Sequence, residues 1–268
     1  MIIGNKEFDL DNKFYIMGIL NVTPDSFSDG GKFNDMDHAL KQTEKMIADG
    51  ADLIDVGGES TRPNHIKISV EEEIERVCPI IEAIKKRFDI PISLDTYKSE
   101  VAKAGIASGA DLLNDIWGLK WDGTMAKVVA DTGVACCLMH NRKEPVYHDF
   151  VKDMVMDLQE SVEIALAAGI QKDRIILDPG IGFAKDLEQN LLAMKHLQDI
   201  QQLGYPVLLA TSRKSMIGLT LDLPVTEREE GTMATSVLGR MAGCCMFRVH
   251  DVQSNLRALR MTEAILKA

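Results

Sequence analysis

The sequence predicts a (β/α)8 TIM barrel with a short N-terminal β-hairpin, and three observations predict it. Eight near-continuously apolar runs recur along a chain of 268 residues. Six of them follow a Gly that closes a helical stretch, as a left-handed residue just past a helix does. Amphipathic segments of helical period separate the runs, and eight strand–helix units in a chain of this length fit a closed parallel barrel.

In chain order, residues 1–12 read as a hairpin that closes the bottom of the barrel. FYIMGIL (14–20) is the first strand. DGADLIDV (49–56), IPISLD (90–95), SGADLLND (108–115), TGVACCLMH (132–140), AGIQKDRIILD (168–178), LGYPVLLAT (203–211) and AGCCMFRVH (242–250) supply the other seven. Parallel strands covered on both faces must be apolar throughout, which these are. Residues 150–168 show the intervening pattern, with Val151, Met154, Val155, Leu158, Val162, Ala165 and Leu166 close to a 3.6-residue period. A doubly wound sheet is the alternative. Against it, no G-x-G-x-x-G follows the first strand, and GIGFAK puts Lys185 where the third Gly would stand. Apolar residues spread from end to end without a linker, so one domain spanning 1–268 is expected.

The net charge of −11 argues against general affinity for nucleic acid or anionic membranes. No apolar run approaches the roughly 20 residues of a spanning helix, and MIIGNKEFDL lacks the basic start and apolar core of a signal peptide. Cys136, Cys137, Cys244 and Cys245 form adjacent pairs in apolar runs, and Cys78 stands alone. That spacing suits buried thiols in a reducing cytoplasm better than zinc or disulfides.

Barrel enzymes work at the C-terminal ends of their strands. Those ends carry Asn21; Asp55 before GGESTRP; Asp95 and Thr96; Asn114 and Asp115; Met139 and His140; Asp178; TSRKS (211–215); and Arg248 with His250. Thr96, Ser99 and Asp186 read as helix caps. Asp95, Asn114 and Asp178 emerge from apolar strands, where an unpaired carboxylate is costly. Either they pair with buried Arg or Lys, or they face a ligand rich in N–H donors, such as the amino-pyrimidinone edge of a guanine-like or pterin-like ring. Arg62, Lys214, Arg248 and His250, with Arg213 nearby, gather at the same rim and imply an anionic ligand. His38, His65, His148 and His196 read as surface residues.

NVTPDSFSDGG (21–31) leaves the first strand with only Val22 and Phe27 as large apolar residues. The blocks MGILNVTPDSFSDGG, DLIDVGGESTRP, ISLDTYK, LLNDI, LMH, LDPGIGF, TSRKSMIG and FRVHDV resemble, in order, those of the dihydropteroate synthase family. The resemblance covers nearly the whole chain. It implies a (β/α)8 barrel that condenses 6-hydroxymethyl-7,8-dihydropterin diphosphate with 4-aminobenzoate, releasing pyrophosphate and 7,8-dihydropteroate in folate biosynthesis.

Carried over by motif, the resemblance makes Asp95, Asn114 and Asp178 pterin-ring ligands, with Lys214 reaching the ring and Met139 and Phe183 as pocket walls. Asn21 matches a Mg2+ contact. Thr61, Arg62, Arg248 and His250 match diphosphate contacts, and Phe27, Pro63, Lys214 and Ser215 match the 4-aminobenzoate side, where sulfonamides compete. Asp25 and Phe27 lie on a loop that closes over the diphosphate; these two, with Lys214, Arg248 and His250, form the implied catalytic set. The family is usually dimeric, so a homodimer is expected. Two positions depart from the family pattern: Asn64 after STRP and Ala210 before TSRKS, where Gly is usual. A non-catalytic pterin binder and a methyltransferase acting on methyl-tetrahydrofolate are the competing readings; only Ala210 favours the former, and the latter needs neither the diphosphate cations nor the Asp25/Phe27 loop.

Overall fold

The computed structural model describes residues 1–22, 31–60 and 67–268, with backbone alone at 31–35. Its first strands, β1 (Ile2–Ile3) and β2 (Lys6–Glu7), pair antiparallel as the expected hairpin. The barrel strands are β3 (Tyr15–Asn21), β4 (Leu53–Gly57), β5 (Ile92–Asp95), β6 (Leu112–Asp115), β7 (Ala135–Met139), β8 (Ile175–Asp178), β9 (Leu208–Leu209) and β10 (Met246–Val249). All pair in parallel, in the order β8-β7-β6-β5-β4-β3-β10-β9. A parallel bridge from Leu177 to Val207 brings β8 beside β9 and completes the ring. That seam is thin because Pro206 has no N–H to give, although its carbonyl still accepts from Leu177 at 2.9 Å.

The outer helices are α1 (Gly31–Ala48), α2 (Val70–Arg87), α3 (Ser99–Ala107), α4 (Met125–Thr132), α5 (Phe150–Ala167), α6 (Leu187–Lys195), α7 (Leu197–Gln201), α8 (Ser215–Leu221), α9 (Glu229–Met241) and α10 (Val252–Leu266). The six glycines that punctuate the sequence, at 50, 109, 133, 169, 204 and 243, all have positive φ. Asp186 caps α6 in a reciprocal capping box with Gln189. Ser99 does not cap: it is the first residue of α3, behind Lys98, and its N–H is taken by Asp122. Thr96 caps nothing either, accepting only from the Lys98 N–H at 3.3 Å.

Two apolar layers result. The larger lies between strands and helices and includes Leu20, Val56, Leu94, Leu138, Leu177 and Phe247. The smaller fills the barrel: Met17, Leu53, Leu112, Ala135, Ile176, Leu208 and Met246 meet Ile3, Phe8 and Leu10 of the hairpin segment, which plugs the bottom. Among the described residues, no helix is long and apolar enough to cross a membrane.

Candidate active site

Strand alternation decides which polar residues face the barrel interior. Side chains two apart share a face. Leu53, Leu112, Ile176 and Met246 point inward in the barrel-filling layer. Asp55, Asn114, Asp178 and Arg248 stand two residues further along the same strands, so they form the next layer up, at the catalytic end. Asp95 lies opposite Asn114 in the register and Asp178 opposite Met139. Asp115 falls on the other parity. Its carboxylate accepts the N–H groups of Trp117 and Leu119 at 2.8 and 2.7 Å and serves the following turn.

Arg248 anchors this layer. Its Nε donates to Asp55 Oδ2 at 2.6 Å and its Nη2 to Asp95 Oδ2 at 2.8 Å, while Ser93 donates to the other Asp55 oxygen. Asp95 Oδ1 is buried and has no hydrogen-bond partner among the described residues. A buried acceptor left open is costly unless a ligand supplies the donor. Burial pushes the Asp95 carboxyl up from its ordinary range, and Arg248 opposes the shift.

Asp178 is buried and accepts the Gly180 N–H at 2.7 Å through Oδ1. Burial raises its carboxyl to about 6, with Lys214 and Arg248 acting in the opposite sense. The side-chain amide of Asn114, also buried, makes no hydrogen bond to a described residue. Lys214 Nζ lies 4.3 Å over the Phe183 ring, and burial, reinforced by Arg248, lowers its ammonium to about 8. Met139 and Phe183 pack with Tyr97, Ile116 and Trp117 in a small apolar cluster apart from both core layers. Asp95, Asn114 and Asp178, a small apolar cluster and a lysine whose charge acts on both carboxyls thus stand at the same end of the barrel.

The residues expected to meet an anion that are described lie at the adjoining β9 and β10 ends. Ser212 Oγ is 2.9 Å from His250 Nδ1 and accepts the His250 backbone N–H at 3.1 Å, which orients the ring. The last helix is capped by Asp251, one residue beyond His250. Lys214 stands at the N-cap of α8 and Ser215 is its first residue, exposed. Arg228 donates to the Arg213 and Lys214 carbonyls at 3.1 and 3.4 Å, holding the left-handed Arg213 (φ 57) in place. Asp25, Phe27, Thr61, Arg62, Pro63 and Asn64 lie outside the described residues. Ala210 is 8% exposed and packs within the barrel-filling layer.

Asp55, Ser93, Ser212 and Arg228 are partners in these networks that the sequence pattern does not single out. The signal for Asp55 is its inward parity with Leu53; Ser212 stands within TSRKS with nothing to mark His250 as its partner, and Arg228 has no signal. His196 lies at the surface as expected, with its Nδ1 3.0 Å from Asp199.

Among the described residues, no group of three or more His, Cys, Asp and Glu is arranged to hold a metal ion. Asn21 is the one expected metal contact. A Cβ added at Gly57 would lie 3.7 Å from Asp95 Oδ2 and 3.9 Å from Asn21 Oδ1, so the glycine leaves a gap that both oxygens border. A single protein amide oxygen beside such a gap fits Mg2+ bound largely through substrate phosphates rather than a protein-built cage.

A family model described as pterin binding enzyme matches residues 17–250. The chain belongs to this family. The dihydropteroate synthase of Clostridium beijerinckii is 60% identical over 268 residues, covering all of both chains. Among solved structures, dihydropteroate synthase from Clostridium difficile, determined in the presence of pteroic acid, superposes with a TM-score of 0.95 at 48% identity, covering 98% of this chain and 100% of that one. The Yersinia pestis dihydropteroate synthase with a sulfonamide drug complex gives 0.93 at 41% identity over 100% of this chain and 99% of its own.

Proposed function

We propose that this pterin-binding chain is itself a dihydropteroate synthase, a transferase of folate biosynthesis that joins 4-aminobenzoate to 6-hydroxymethyl-7,8-dihydropterin diphosphate and releases pyrophosphate. The observation that carries the reading is Asp95 Oδ1, buried and without a described partner, in register with Asn114 and at the same barrel end as Asp178. Two carboxylates and an amide can take the ring's N–H edge, while Met139 and Phe183 cover its face. Lys214, above Phe183, borders both the ring and the arylamine, with Ser215 beside it on the 4-aminobenzoate side, where sulfonamides compete.

The bond that breaks joins the pterin methylene to the diphosphate. An electron-rich dihydropterin stabilises positive charge on that carbon, so departure runs ahead of attack in an SN1-like step. Asp95 and Asp178 hold the ring and favour its electron-poor state. His250 and Arg248, with Thr61 and Arg62, which lie outside the described residues, take the charge growing on the leaving group. Bound Mg2+, contacted by Asn21, would supply further charge neutralisation there. The arylamine is neutral at pH 7 and needs little general-base help. Asp25 and Phe27 belong to the segment that excludes water from the cation.

A homodimer is supported by exposed Leu238 and Met241 on α9 and Met261 and Ile265 on α10, two helices packed against each other. Sedimentation at a single chain mass would refute it. The buried thiols of Cys136, Cys137, Cys244 and Cys245 support a reducing, cytoplasmic setting. The test of function is product formation from the pterin diphosphate, labelled 4-aminobenzoate and Mg2+. Pterin binding without dihydropteroate would favour the non-catalytic alternative.

A further inference from the structure

The turn between Asp178 and α6 holds three left-handed residues: Gly180 (φ 68), Gly182 (φ 86) and Ala184 (φ 44). Gly180 also crosses the end of β7 so closely that a Cβ there would lie 2.0 Å from the His140 carbonyl oxygen. A backbone folded this tightly needs its carbonyls satisfied from outside the turn. Lys185 does most of this. Its Nζ donates to the Gly180 oxygen at 2.9 Å and the Phe183 oxygen at 3.0 Å, and lies 2.7 Å from His140 Nδ1. Tyr147 donates to the Ala184 oxygen at 2.8 Å, and Asn190 Oδ1 accepts the Gly182 N–H at 2.6 Å.

Burial lowers Lys185 to about 7, but three acceptors around Nζ favour the ammonium, whose three donors are then all used and none is left for a substrate. Its donation makes His140 Nδ1 an acceptor, which puts the imidazole proton on Nε2, facing Asp157 Oδ2 at 3.0 Å. Arg142 then closes the chain through Asp157 at 2.6 and 3.1 Å. The far end of the turn delivers Asp178 and Phe183, two residues assigned above to the ring.

We propose that Lys185 is a positioning residue for the pterin site: by clamping the 180–184 turn onto His140 it sets the spacing between the Asp178 carboxylate and the Phe183 ring. The assignment rests on the proposed function only in naming the ring as the ligand. Its test compares Lys185→Met and Lys185→Arg with wild type, measuring kcat, both KM values, and 6-hydroxymethylpterin affinity by calorimetry. Lys185→Met should raise the KM for the pterin diphosphate and weaken pterin affinity by about tenfold or more, as expected when buried acceptors lose their donor. The KM for 4-aminobenzoate should change less than about twofold, and Lys185→Arg should recover part of the pterin loss by restoring donors. Pterin affinity within twofold of wild type, or equal losses for both substrates, would overturn the assignment. Should the Met variant fail to fold, Lys185→Gln, which keeps two donors, must show the same pterin-selective loss at smaller size or the proposal falls. If the wild type bound pterin yet formed no product, the transferase reading would fail while the affinity comparison still decided the role of Lys185.

Discussion

Arg248 Nη2 reaches Asp95 Oδ2 at 2.8 Å, while Nε of the same guanidinium holds Asp55 at 2.6 Å. One cation thus ties β4, β5 and β10 together at the catalytic end and occupies one side of Asp95, leaving Oδ1 open. The acidic floor and the cationic rim are therefore one network. The guanidinium's Nη1 makes no hydrogen bond to a described residue.

Arg248→Met should consequently damage folding as well as activity. It would leave two buried carboxylates without their cation, at a cost of about 3–5 kcal/mol by denaturant unfolding at neutral pH. The deficit should shrink as the pH falls, because protonation neutralises the stranded groups. A loss below about 1 kcal/mol would mean that the pair contributes no more than an exposed ion pair.

Asp178→Asn should separate stability from function. The folded carboxyl is raised from 3.8 to about 6, so burying its charge destabilises the free protein once it ionises. The linkage has a definite sign: stability from the protonated form is present below the unfolded pKa and is lost as the pH rises through the folded one. Asn keeps an oxygen for the Gly180 N–H without the charge. The variant should gain about 1–2 kcal/mol over wild type above pH 6 and nothing below pH 4, while losing pterin affinity by tenfold or more. Thermal melts across that window, with a pterin titration, read both effects.

Lys214 sets the alkaline limit. With its ammonium lowered to about 8, it loses charge as the pH rises through that value, and kcat/KM for both substrates should fall together. Lys214→Ala should weaken both substrates and abolish this alkaline limb. A limb unchanged in that variant would place the titration elsewhere.

The barrel was legible because its signals are local and repeated: a strand of inward and outward apolar residues, then a helix closed by Gly. That Asp95, Asn114 and Asp178 end apolar strands was legible for a related reason, and of the two readings it left open, pairing with a buried Arg holds for one oxygen of Asp95. Which residue they bonded to was not legible. Arg248 meets Asp95 across 153 positions of sequence, and no spacing rule reports a contact closed by wrapping a sheet into a ring. Lys185 shows the same limit from another side. In the sequence it only spoiled a glycine fingerprint, whereas in the fold its ammonium is fixed by two carbonyls and an imidazole. Ser99 missed its cap role because Lys98 bonds to Glu59 and Glu73 at 2.7 Å each, holding the cap position for a buried charge cluster.

In the proposed function, the pterin ring binds on Asp95, Asn114 and Asp178 and its diphosphate departs beside Arg248 and His250. The most direct measurement incubates the protein with Mg2+, 6-hydroxymethyl-7,8-dihydropterin diphosphate and labelled 4-aminobenzoate, and follows label and pyrophosphate together. The account predicts labelled 7,8-dihydropteroate and pyrophosphate in equal amounts. Tight binding of the pterin with neither product formed would contradict it.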